Sequence, residues 1–171
     1  MEQVVLVDKQ DNVVGAMDKL EAHHKGLLHR AFSVVIFNSK GEVLLQKRSL
    51  SKYHSGGLWT NSCCSHPKPN EVISEAASSR LKHEMGIDLK PEFAYKFLYK
   101  CRLDNDFIEH ELDHVYIGVF DGTPIANTDE VEDWKFVTVE ELRTDINRYP
   151  EKYTVWFRLI MNHPNLKQIT A

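Results

Sequence analysis

The chain has 171 residues, a length typical of one domain, and its 42% hydrophobic and 27% charged residues exclude a disordered composition. Asp and Glu outnumber Lys and Arg by 25 to 21, and this net charge of −4 argues against a general nucleic-acid-binding protein. Apolar runs such as Val34–Phe37 are too short to span a bilayer, and the N-terminal residues lack the pattern of a secretory signal. We therefore expect one soluble, cytoplasmic domain over residues 1–171, monomeric and without nucleic-acid or membrane partners.

The first half of the chain predicts strands followed by one clear helix. Residues 31–38 and 42–48 are rich in strand formers and flank a turn at residues 38–41 (NSKG), a pattern that predicts a β-hairpin. Residues 58–67 (LWTNSCCSHP) predict a short strand and a loop ended by prolines. The helix follows, with Asn70 as its N-cap, apolar residues at helical spacing from Val72 to Met85, and Gly86 as its C-terminal glycine.

The second half predicts more strands and then helices. Residues 93–103 and 108–120 are typical of strands, and residues 134–137 predict another short one. Thr138, with Glu141 three residues later, has the form of a capping box. Residues 153–161 predict a buried C-terminal helix. The order of strands, helix, strands and helices favours a mixed domain of the α+β class.

The three cysteines indicate free thiols rather than a disulfide scaffold. Cys63 and Cys64 are adjacent, Cys101 is distant, and an odd count leaves one thiol unpaired. One of the adjacent pair could act as an acid/base or nucleophilic thiol if a positive charge or a metal lies close. The alternative is a pair of small buried residues.

Residues 110–114 (HELDH) match the H-E-x-x-H motif of zinc proteases, which requires a helix. Here the motif runs directly into the β-branched residues of a predicted strand. Because alternate residues of a strand share a face, Glu109, Glu111 and Asp113 would project one way and His110 and His114 the other. The pattern therefore offers carboxylates to a cation instead of a histidine pair.

Two aligned carboxylates repel each other unless a cation or a proton lies between them. Joined by His23, His29 and His66, Glu109 and Glu111 would form a nitrogen and oxygen shell suited to zinc, manganese or another divalent ion. The alternative is a set of solvated carboxylates and scattered histidines.

Two further features have open interpretations. Arg48 and Lys52 are spaced so that both can reach one anion, such as a phosphate, although a solvated charged loop is the alternative. Trp156, in the last predicted helix, is more typical of a core residue than of a ligand contact.

Four segments resemble the type I isopentenyl-diphosphate isomerase family. They are residues 24–38 (HKGLLHRAFSVVIFN), 58–67 (LWTNSCCSHP), 80–87 (RLKHEMGI) and 109–120 (EHELDHVYIGVF). The match is collinear from about Lys19 to Trp156. The resemblance implies a Nudix-type fold, in which helices flank a mixed sheet, and hence a single Nudix-like isomerase domain.

The predicted helix departs from the Nudix hydrolase pattern, G-x5-E-x7-R-E-U-x-E-E-x-G-U, where U is bulky and aliphatic. The G, E, R, E, E and E positions fall on Ser65, Glu71, Ser79, Arg80, His83 and Glu84. Most of the acids that gather magnesium in the hydrolases are therefore absent. This departure favours an isomerase over a Nudix hydrolase of a nucleoside diphosphate derivative. A catalytically inactive binding module on the same fold is the third possibility.

The resemblance implies two metal sites and a diphosphate site. The implied ligands of one divalent ion (Mn, Zn or Mg) are His23, His29, His66, Glu109 and Glu111, with His24 as the alternative to His23. Glu84 and the carbonyl of Cys64 are implied to hold a magnesium ion bound with the substrate diphosphate. The implied diphosphate contacts are Lys19, Arg48, Lys52, Ser65 and Arg80.

The implied reaction moves a double bond between isopentenyl and dimethylallyl diphosphate, a small-molecule step in the synthesis of isoprenoid precursors. Cys64 matches the catalytic thiol, and Glu111 matches its acid/base counterpart. Tyr99 and Trp156 match aromatic residues beside the hydrocarbon, where an indole face stabilises a cation. We hypothesise that Glu111, with Tyr99, lies on the protonating side.

Overall fold

The computed structural model describes residues 2–171 and has mixed α and β structure. Its strands are β1 (Gln3–Val7), β2 (Val13–Asp18), β3 (His29–Phe37), β4 (Val43–Arg48), β5 (Trp59–Thr60), β6 (Cys63–Ser65), β7 (Glu92–Arg102), β8 (Ile108–Val119) and β9 (Val131–Val137). Its helices are α1 (Lys19–Lys25), α2 (Ile73–Met85), α3 (Val139–Arg148), α4 (Val155–Asn162) and α5 (Pro164–Ile169).

Strand β3 is the centre of the sheet. It pairs in parallel with β8, from His29 opposite Glu111 to Phe37 opposite Val119, and antiparallel with β6 on its other side. Strand β7 adds antiparallel to β8, and β1 and β2 extend the sheet beyond the start of β3. Strand β4 pairs mainly with β5 and β9. These pairings confirm the mixed sheet expected of the α+β class.

The predicted hairpin is wrong in its pairing, although its turn is present. Gly41, at φ +78°, donates its N–H to the Asn38 carbonyl at 3.0 Å. Beyond the turn, β3 and β4 pair only at Phe37 and Val43. Ser62 separates the two strands, because its Oγ accepts from the Ile36 N–H at 2.9 Å and donates to the Leu44 carbonyl at 2.7 Å. Strand β4 then takes β9 as its partner.

Alternation along β3 divides the core into two layers. Phe32, Val34 and Ile36 pack on the side of α2. Val35 points to the opposite side, where the layer includes Phe157 of α4. Because successive side chains of a strand project to opposite faces, the sheet is covered by α2 on one face and by the C-terminal helices on the other.

Helix α2 ends as predicted but begins later. The left-handed Gly86, at φ +64°, confirms the C-terminal glycine. Asn70 is not the N-cap, because its own φ is +66° and the chain enters the helix at Val72, which makes no side-chain capping bond. The carboxylate of Glu71 instead accepts the backbone N–H of Lys68 at 2.9 Å, which closes the turn before the helix.

Two threonines begin the C-terminal helices. Thr138 accepts the backbone N–H of Glu141 at 3.1 Å, which confirms the predicted start of α3. Thr154 caps α4, so the helix begins at Val155, and Tyr153 lies outside it, contrary to the predicted range 153–161. Strand β9 begins at Val131, three residues earlier than predicted, because it continues to pair with β4.

The N-terminal elements were not predicted, and they complete the site. Asp18 caps α1 by accepting the backbone N–H of Glu21, and Gly26 ends the helix at φ +67°. This short helix places Lys19 and His23 beside the start of β3, four residues apart and hence on one face of the helix.

Candidate active site

Five side chains converge at the beginning of β3 and β8. His23, His29, His66, Glu109 and Glu111 each offer one ligand atom, and these atoms all lie within 4.8 Å of one another. Four of the five residues are buried, and His66 is half-buried. The structure therefore brings together the five residues that the sequence analysis proposed as ligands of one divalent ion.

Strand register explains why these residues meet. His29 of β3 lies opposite Glu111 of β8 in the parallel pair. Glu109 and Glu111 share the face predicted for them, and Glu111 also lies opposite Tyr99 of the antiparallel strand β7. Strand β6, on the other side of β3, ends at Ser65 and delivers His66. The strand interpretation of the H-E-x-x-H segment is thus correct, and a zinc-protease helix is excluded.

The imidazole rings are oriented as ligands for a cation. His23 Nδ1 faces the Lys19 carbonyl at 2.7 Å, and His29 Nδ1 faces the Leu27 carbonyl at 2.9 Å. Because each Nδ1–H donates to a carbonyl, each Nε2 faces the carboxylates and, when deprotonated, turns a lone pair toward the space between them. His29 Nε2 and Glu109 Oε1 are buried without a hydrogen-bond partner among residues 2–171. Nitrogen and oxygen acceptors that face one another in this way fit a divalent cation.

A proton bound to a histidine can also supply positive charge between the two carboxylates. Burial disfavours a charged imidazole, yet the two carboxylates raise the pKa of His29 to about 10. Burial also opposes ionisation of Glu109, but the imidazoles of His23, His29 and His54 beside its oxygens hold the pKa of this carboxyl well below its usual range. Burial lowers the pKa of His66, although Glu111 lies 2.8 Å from its Nε2. The site thus favours an ionised Glu109 beside a protonated His29.

The open choice between the two adjacent histidines is decided by geometry. His23 is buried, and its Nε2 lies 2.9 Å from Glu109 Oε1. His24 is exposed and packs instead against the ring of Phe107, 4.7 Å away. Only His23 reaches the group of five.

A cleft with a cavity volume of about 370 Å³ opens onto this group, a size typical of small-molecule sites. Cys64 lines the cleft, because it lies opposite Ser33 in the β6–β3 pair and shares its face. Its neighbour Cys63 lies opposite Val34 and belongs to the core beside α2. The surrounding protein raises the pKa of the Cys64 thiol to about 12, an effect that Arg48, 3.8 Å from its sulfur, opposes.

Two aromatic residues lie close to the cleft, Tyr99 beside the Glu111 carboxylate and Trp156 in the cleft wall. The Tyr99 hydroxyl donates to Glu111 Oε1, and burial together with the Glu111 charge raises the pKa of this phenol. Trp156 is 4% exposed, so it is both a core residue and part of the cleft lining. The guanidinium of Arg48 lies 5.2 Å from the centre of its ring.

Positively charged side chains also line the cleft. Its lining includes the proposed diphosphate contacts Lys19, Arg48, Lys52, Ser65 and Arg80. An acidic residue that the sequence analysis did not consider, Glu130, lies among them. Its carboxylate pairs with Lys52 and lies 3.1 Å from Arg80 Nη2. Lys52 and Arg80 therefore share one carboxylate.

Comparisons with known proteins support the site. The NUDIX domain family matches residues 27–157. Isopentenyl-diphosphate Delta-isomerase 2 of Photorhabdus laumondii is 53% identical over 161 residues, which cover 94% of this chain and 91% of the relative. The isopentenyl-diphosphate Delta-isomerase of Serratia proteamaculans is 48% identical over 160 residues, which cover 94% and 89%. The chain belongs to the isopentenyl-diphosphate Delta-isomerase family.

Solved structures confirm the Nudix fold of this isomerase family member. A Deinococcus radiodurans protein superimposes with a TM-score of 0.72 at 21% identity, covering 86% of this chain and 90% of that chain. A MutT NUDIX hydrolase from Burkholderia pseudomallei gives a TM-score of 0.63 at 18% identity, covering 80% and 98%. These likenesses show the fold alone. Within residues 2–171, no helix has the length and apolar character needed to cross a membrane.

Glu84, which the isomerase resemblance proposes as a magnesium ligand, lies apart from the group of five. It is buried behind the cleft wall, where its carboxylate accepts from Arg80 Nε at 2.5 Å and from Gln46 Nε2 at 3.1 Å. The Cys63 thiol also contacts it, at 3.7 Å. Arg80, which lines the cleft, therefore neutralises the Glu84 carboxylate.

Two residues of the site were missed from the sequence, Tyr53 and His54. Tyr53 covers the histidines, and its hydroxyl lies 3.5 Å from His23 Nε2. His54 Nε2 lies 3.3 Å from Glu109 Oε2, and burial lowers the pKa of the His54 imidazole. Both follow directly after Lys52, so their proximity to a proposed anion contact was the available signal.

Proposed function

We propose that this chain, as one isomerase domain over residues 1–171, interconverts isopentenyl diphosphate and dimethylallyl diphosphate in the synthesis of isoprenoid precursors. One observation carries the proposal: Cys64 and Glu111 line the same cleft as four cationic side chains. Membership of the isomerase family supports the same reaction. The remaining assignments describe how the residues would carry it out.

Moving a double bond requires one group that delivers a proton and another that removes one. An unactivated alkene is a weak base, so protonation generates a tertiary carbocation or a species close to it. Cys64 and Glu111 come from β6 and β8, which flank β3. Cys64 lies opposite Ser33 and Glu111 lies opposite His29, and because these two β3 residues share a face, both side chains project from the same face of the sheet. General acid–base catalysis of this type typically contributes about 10²–10⁴-fold.

Each of the two proton carriers, Glu111 and Cys64, alternates between a protonated and a deprotonated form during turnover. We assign Glu111, with Tyr99, to protonate isopentenyl diphosphate, and Cys64 to remove a proton from the cation. The turnover leaves a Cys64 thiol and a Glu111 carboxylate. The raised pKa of Cys64 favours the thiol form that belongs to this state. The reverse reaction starts from it, with the thiol as the donor.

His23, His29, His66, Glu109 and Glu111 would hold one divalent ion (Mn, Zn or Mg), which when bound supplies Lewis acidity that makes a proton on Glu111 more acidic. Glu111 divides its two oxygens between this group and the substrate side. Its Oε2 faces His29 and His66, and its Oε1 accepts the Tyr99 hydroxyl. Tyr99 is therefore placed to relay a proton to or from the carboxylate.

The cationic end of the cleft would bind the diphosphate through Lys19, Arg48, Lys52, Ser65 and Arg80. Glu84 and the Cys64 carbonyl would hold a magnesium ion that arrives with the diphosphate, since magnesium is commonly held by one or two carboxylates plus substrate phosphates. Binding energy from this charged end positions the small hydrocarbon. The indole face of Trp156 would stabilise the developing cation by about 0.5–2 kcal/mol.

Hydrolysis of nucleoside diphosphate derivatives is disfavoured by helix α2. Two of the positions that carry acids in Nudix hydrolases hold Arg80 and His83, and the position of the hydrolase arginine holds Ser79. Of the acids that the pattern retains, Glu84 is paired with Arg80. The cytoplasmic location, the monomeric state and the lack of nucleic-acid or membrane partners stay predictions.

Incubation with isopentenyl diphosphate in deuterated water tests the proposal. NMR should detect dimethylallyl diphosphate with deuterium in the methyl group formed from the terminal carbon, because the delivered proton comes from the protein and exchanges with solvent. Unchanged substrate after incubation with metal-loaded protein, or release of phosphate in place of the allylic product, would contradict the proposal.

The adjacent cysteines provide a matched control. Cys64→Ala should reduce turnover at least about 10²-fold, the lower end of what one acid–base group contributes, because Cys64 faces the cleft. Cys63→Ala, buried on the opposite face, should retain most of its turnover. Circular dichroism should show both variants folded. Equal losses in the two variants would show that the thiol assignment is wrong.

A further inference from the structure

His54 contacts the candidate metal group without belonging to it. Its side chain is 3% exposed, and its Nε2 lies 3.3 Å from Glu109 Oε2. The ring also meets the indole of Trp156 edge to face, with 5.6 Å between ring centres. His54 therefore lies between the carboxylate group and the aromatic wall of the cleft.

Backbone contacts of His54 and of the next residue hold His54 in place. Arg48 Nη2 donates to the His54 carbonyl at 3.1 Å. The next residue, Ser55, is left-handed at φ +54° and donates its N–H to Asp104 Oδ1 at 3.0 Å. A serine persists in this conformation only when its surroundings fix it, so the position of His54 is strongly determined.

The side-chain contacts of His54 also define its tautomer. Ser55 Oγ lies 3.0 Å from His54 Nδ1 and can donate its hydroxyl proton to this nitrogen. With Nδ1 as the acceptor, the ring proton is on Nε2, the atom that faces Glu109. His54 is then a donor to the carboxylate and has no lone pair directed at the group of five.

Glu109 uses its two oxygens differently. Oε1 faces His23 Nε2 at 2.9 Å and His29 Nε2 at 3.4 Å. Oε2 faces His54 Nε2 at 3.3 Å. Because a buried carboxylate oxygen needs a donor, removal of His54 would leave Oε2 free to rotate toward the ion and disturb the ligand geometry.

We propose that His54 is a positioning residue, which donates its Nε2–H to Glu109 Oε2 and keeps Glu109 Oε1 directed at the metal. This inference rests on the proposed function only in taking the group of five as a metal site. His54 itself neither binds the ion nor carries the reaction's proton. It also links the metal group to the loop that carries Lys52 and hence to the diphosphate end of the cleft.

Two amide variants separate the contacts of His54. The amide nitrogen of His54→Gln replaces Nε2 and can still donate to Glu109. The shorter His54→Asn replaces Nδ1, so it can contact Ser55 but cannot reach Glu109. After chelation, the affinity of each folded protein for Co²⁺ is measured by competition with a chromophoric chelator, and the visible spectrum of the Co²⁺ form reports ligand geometry.

His54→Asn should bind Co²⁺ about 10–100-fold more weakly than the unchanged protein and shift the Co²⁺ spectrum, since partners of ligands typically contribute this much. His54→Gln should recover most of the affinity. The control, His24→Gln, changes an exposed neighbour of the site and should match the unchanged protein. Thermal unfolding of the metal-free proteins identifies any variant that fails to fold.

Three outcomes overturn the inference: an unaltered affinity and spectrum in His54→Asn, an equally weakened His54→Gln, which would make His54 a ligand, and no Co²⁺ binding by the unchanged protein. These measurements need no turnover. A protein that binds Co²⁺ in the expected order but converts no isopentenyl diphosphate would contradict the proposed function and leave the inference standing.

Discussion

Arg80 is shared between two carboxylates in the substrate-free protein. Its Nε lies 2.5 Å from Glu84 Oε2, and its Nη2 lies 3.1 Å from Glu130 Oε2. The two acids raise the pKa of the guanidinium against the effect of burial, so Arg80 keeps its charge. An arriving diphosphate competes with both carboxylates for Arg80. On the proposed function, a diphosphate that drew Arg80 away would free the carboxylate of Glu84 to accept magnesium.

This exchange predicts the behaviour of Glu84→Gln. The variant keeps the shape of the side chain but removes the charge that would hold magnesium. We expect its KM for isopentenyl diphosphate to rise about tenfold at saturating magnesium, and its response to added magnesium to flatten, because magnesium is held largely by charge. Steady-state kinetics over a magnesium titration would measure both effects.

The control for Glu84→Gln is Glu75→Gln, an exposed position on the same helix. Glu75→Gln should leave KM and the magnesium response unchanged. A Glu84→Gln variant that is folded and responds to magnesium like the unchanged protein would refute the role of Glu84 as a ligand.

At the residue scale, the sequence predicted the identity of the group of five but not its supports. Alternation along a strand was sufficient to align Glu109 with Glu111 and to reject the zinc-protease helix. The contribution of His54 depends on a left-handed serine and on a contact with Asp104, about fifty residues away in the chain. Such a contact has no periodic signature, which explains why it could not be predicted.

At the element scale, the C-terminal end of α2 is a tightly constrained turn. Gly86 is left-handed, and a Cβ at this position would lie 2.7 Å from the Ile125 carbonyl oxygen. The backbone N–H of Ile125 donates to the Met85 carbonyl at 2.8 Å, so this neighbour cannot easily move away. The end of α2 fixes where Arg80 and Glu84 lie relative to the cleft.

Gly86→Ala should therefore lower the free energy of unfolding more than Gly41→Ala. Both glycines are left-handed, which costs an alanine about 1–2 kcal/mol, but a Cβ at Gly41 meets no atom within 4 Å. Overpacking against Ile125 should add about 1–3 kcal/mol in Gly86→Ala. Urea unfolding of the two variants measures the difference, and equal losses would contradict the steric argument.

The positions of the helices and strands were predicted better than the pairing of the strands. The interior of α2, the turn at Gly41 and strands β7 and β8 follow from spacing and from turn residues. The pairing of β3 with β8 brings together segments about eighty residues apart, and local pattern contains no information on it. The hairpin failed for the same reason, because Ser62 inserts between two strands that are adjacent in sequence.

At the scale of the whole molecule, burial of the five-residue group couples proton binding to folding. The pKa of His29 rises from 6.5 in an unstructured chain to about 10 in the folded protein. The folded state therefore binds this proton more tightly. The resulting stabilisation is fully present below about pH 6.5 and is lost as the pH rises through about 10.

Chelator-treated protein should therefore lose stability as the pH is raised from about 6.5 to 10. The metal-loaded protein should be less sensitive over this range, because the cation replaces the proton between the carboxylates. Urea unfolding midpoints of both forms at several pH values measure the effect. A metal-free midpoint that stays constant or rises with pH would contradict the assignment of a proton to His29.

The length of the chain between β5 and β6 determines which of the two adjacent cysteines, Cys63 or Cys64, faces the cleft. Two residues, Asn61 and Ser62, separate these strands, and both are anchored in the interior. One inserted residue that slid β6 along β3 would present the other cysteine to the substrate and turn the reactive one toward α2. A single-residue insertion or deletion here would thus abolish activity, although every side chain of the site would still be present in the sequence.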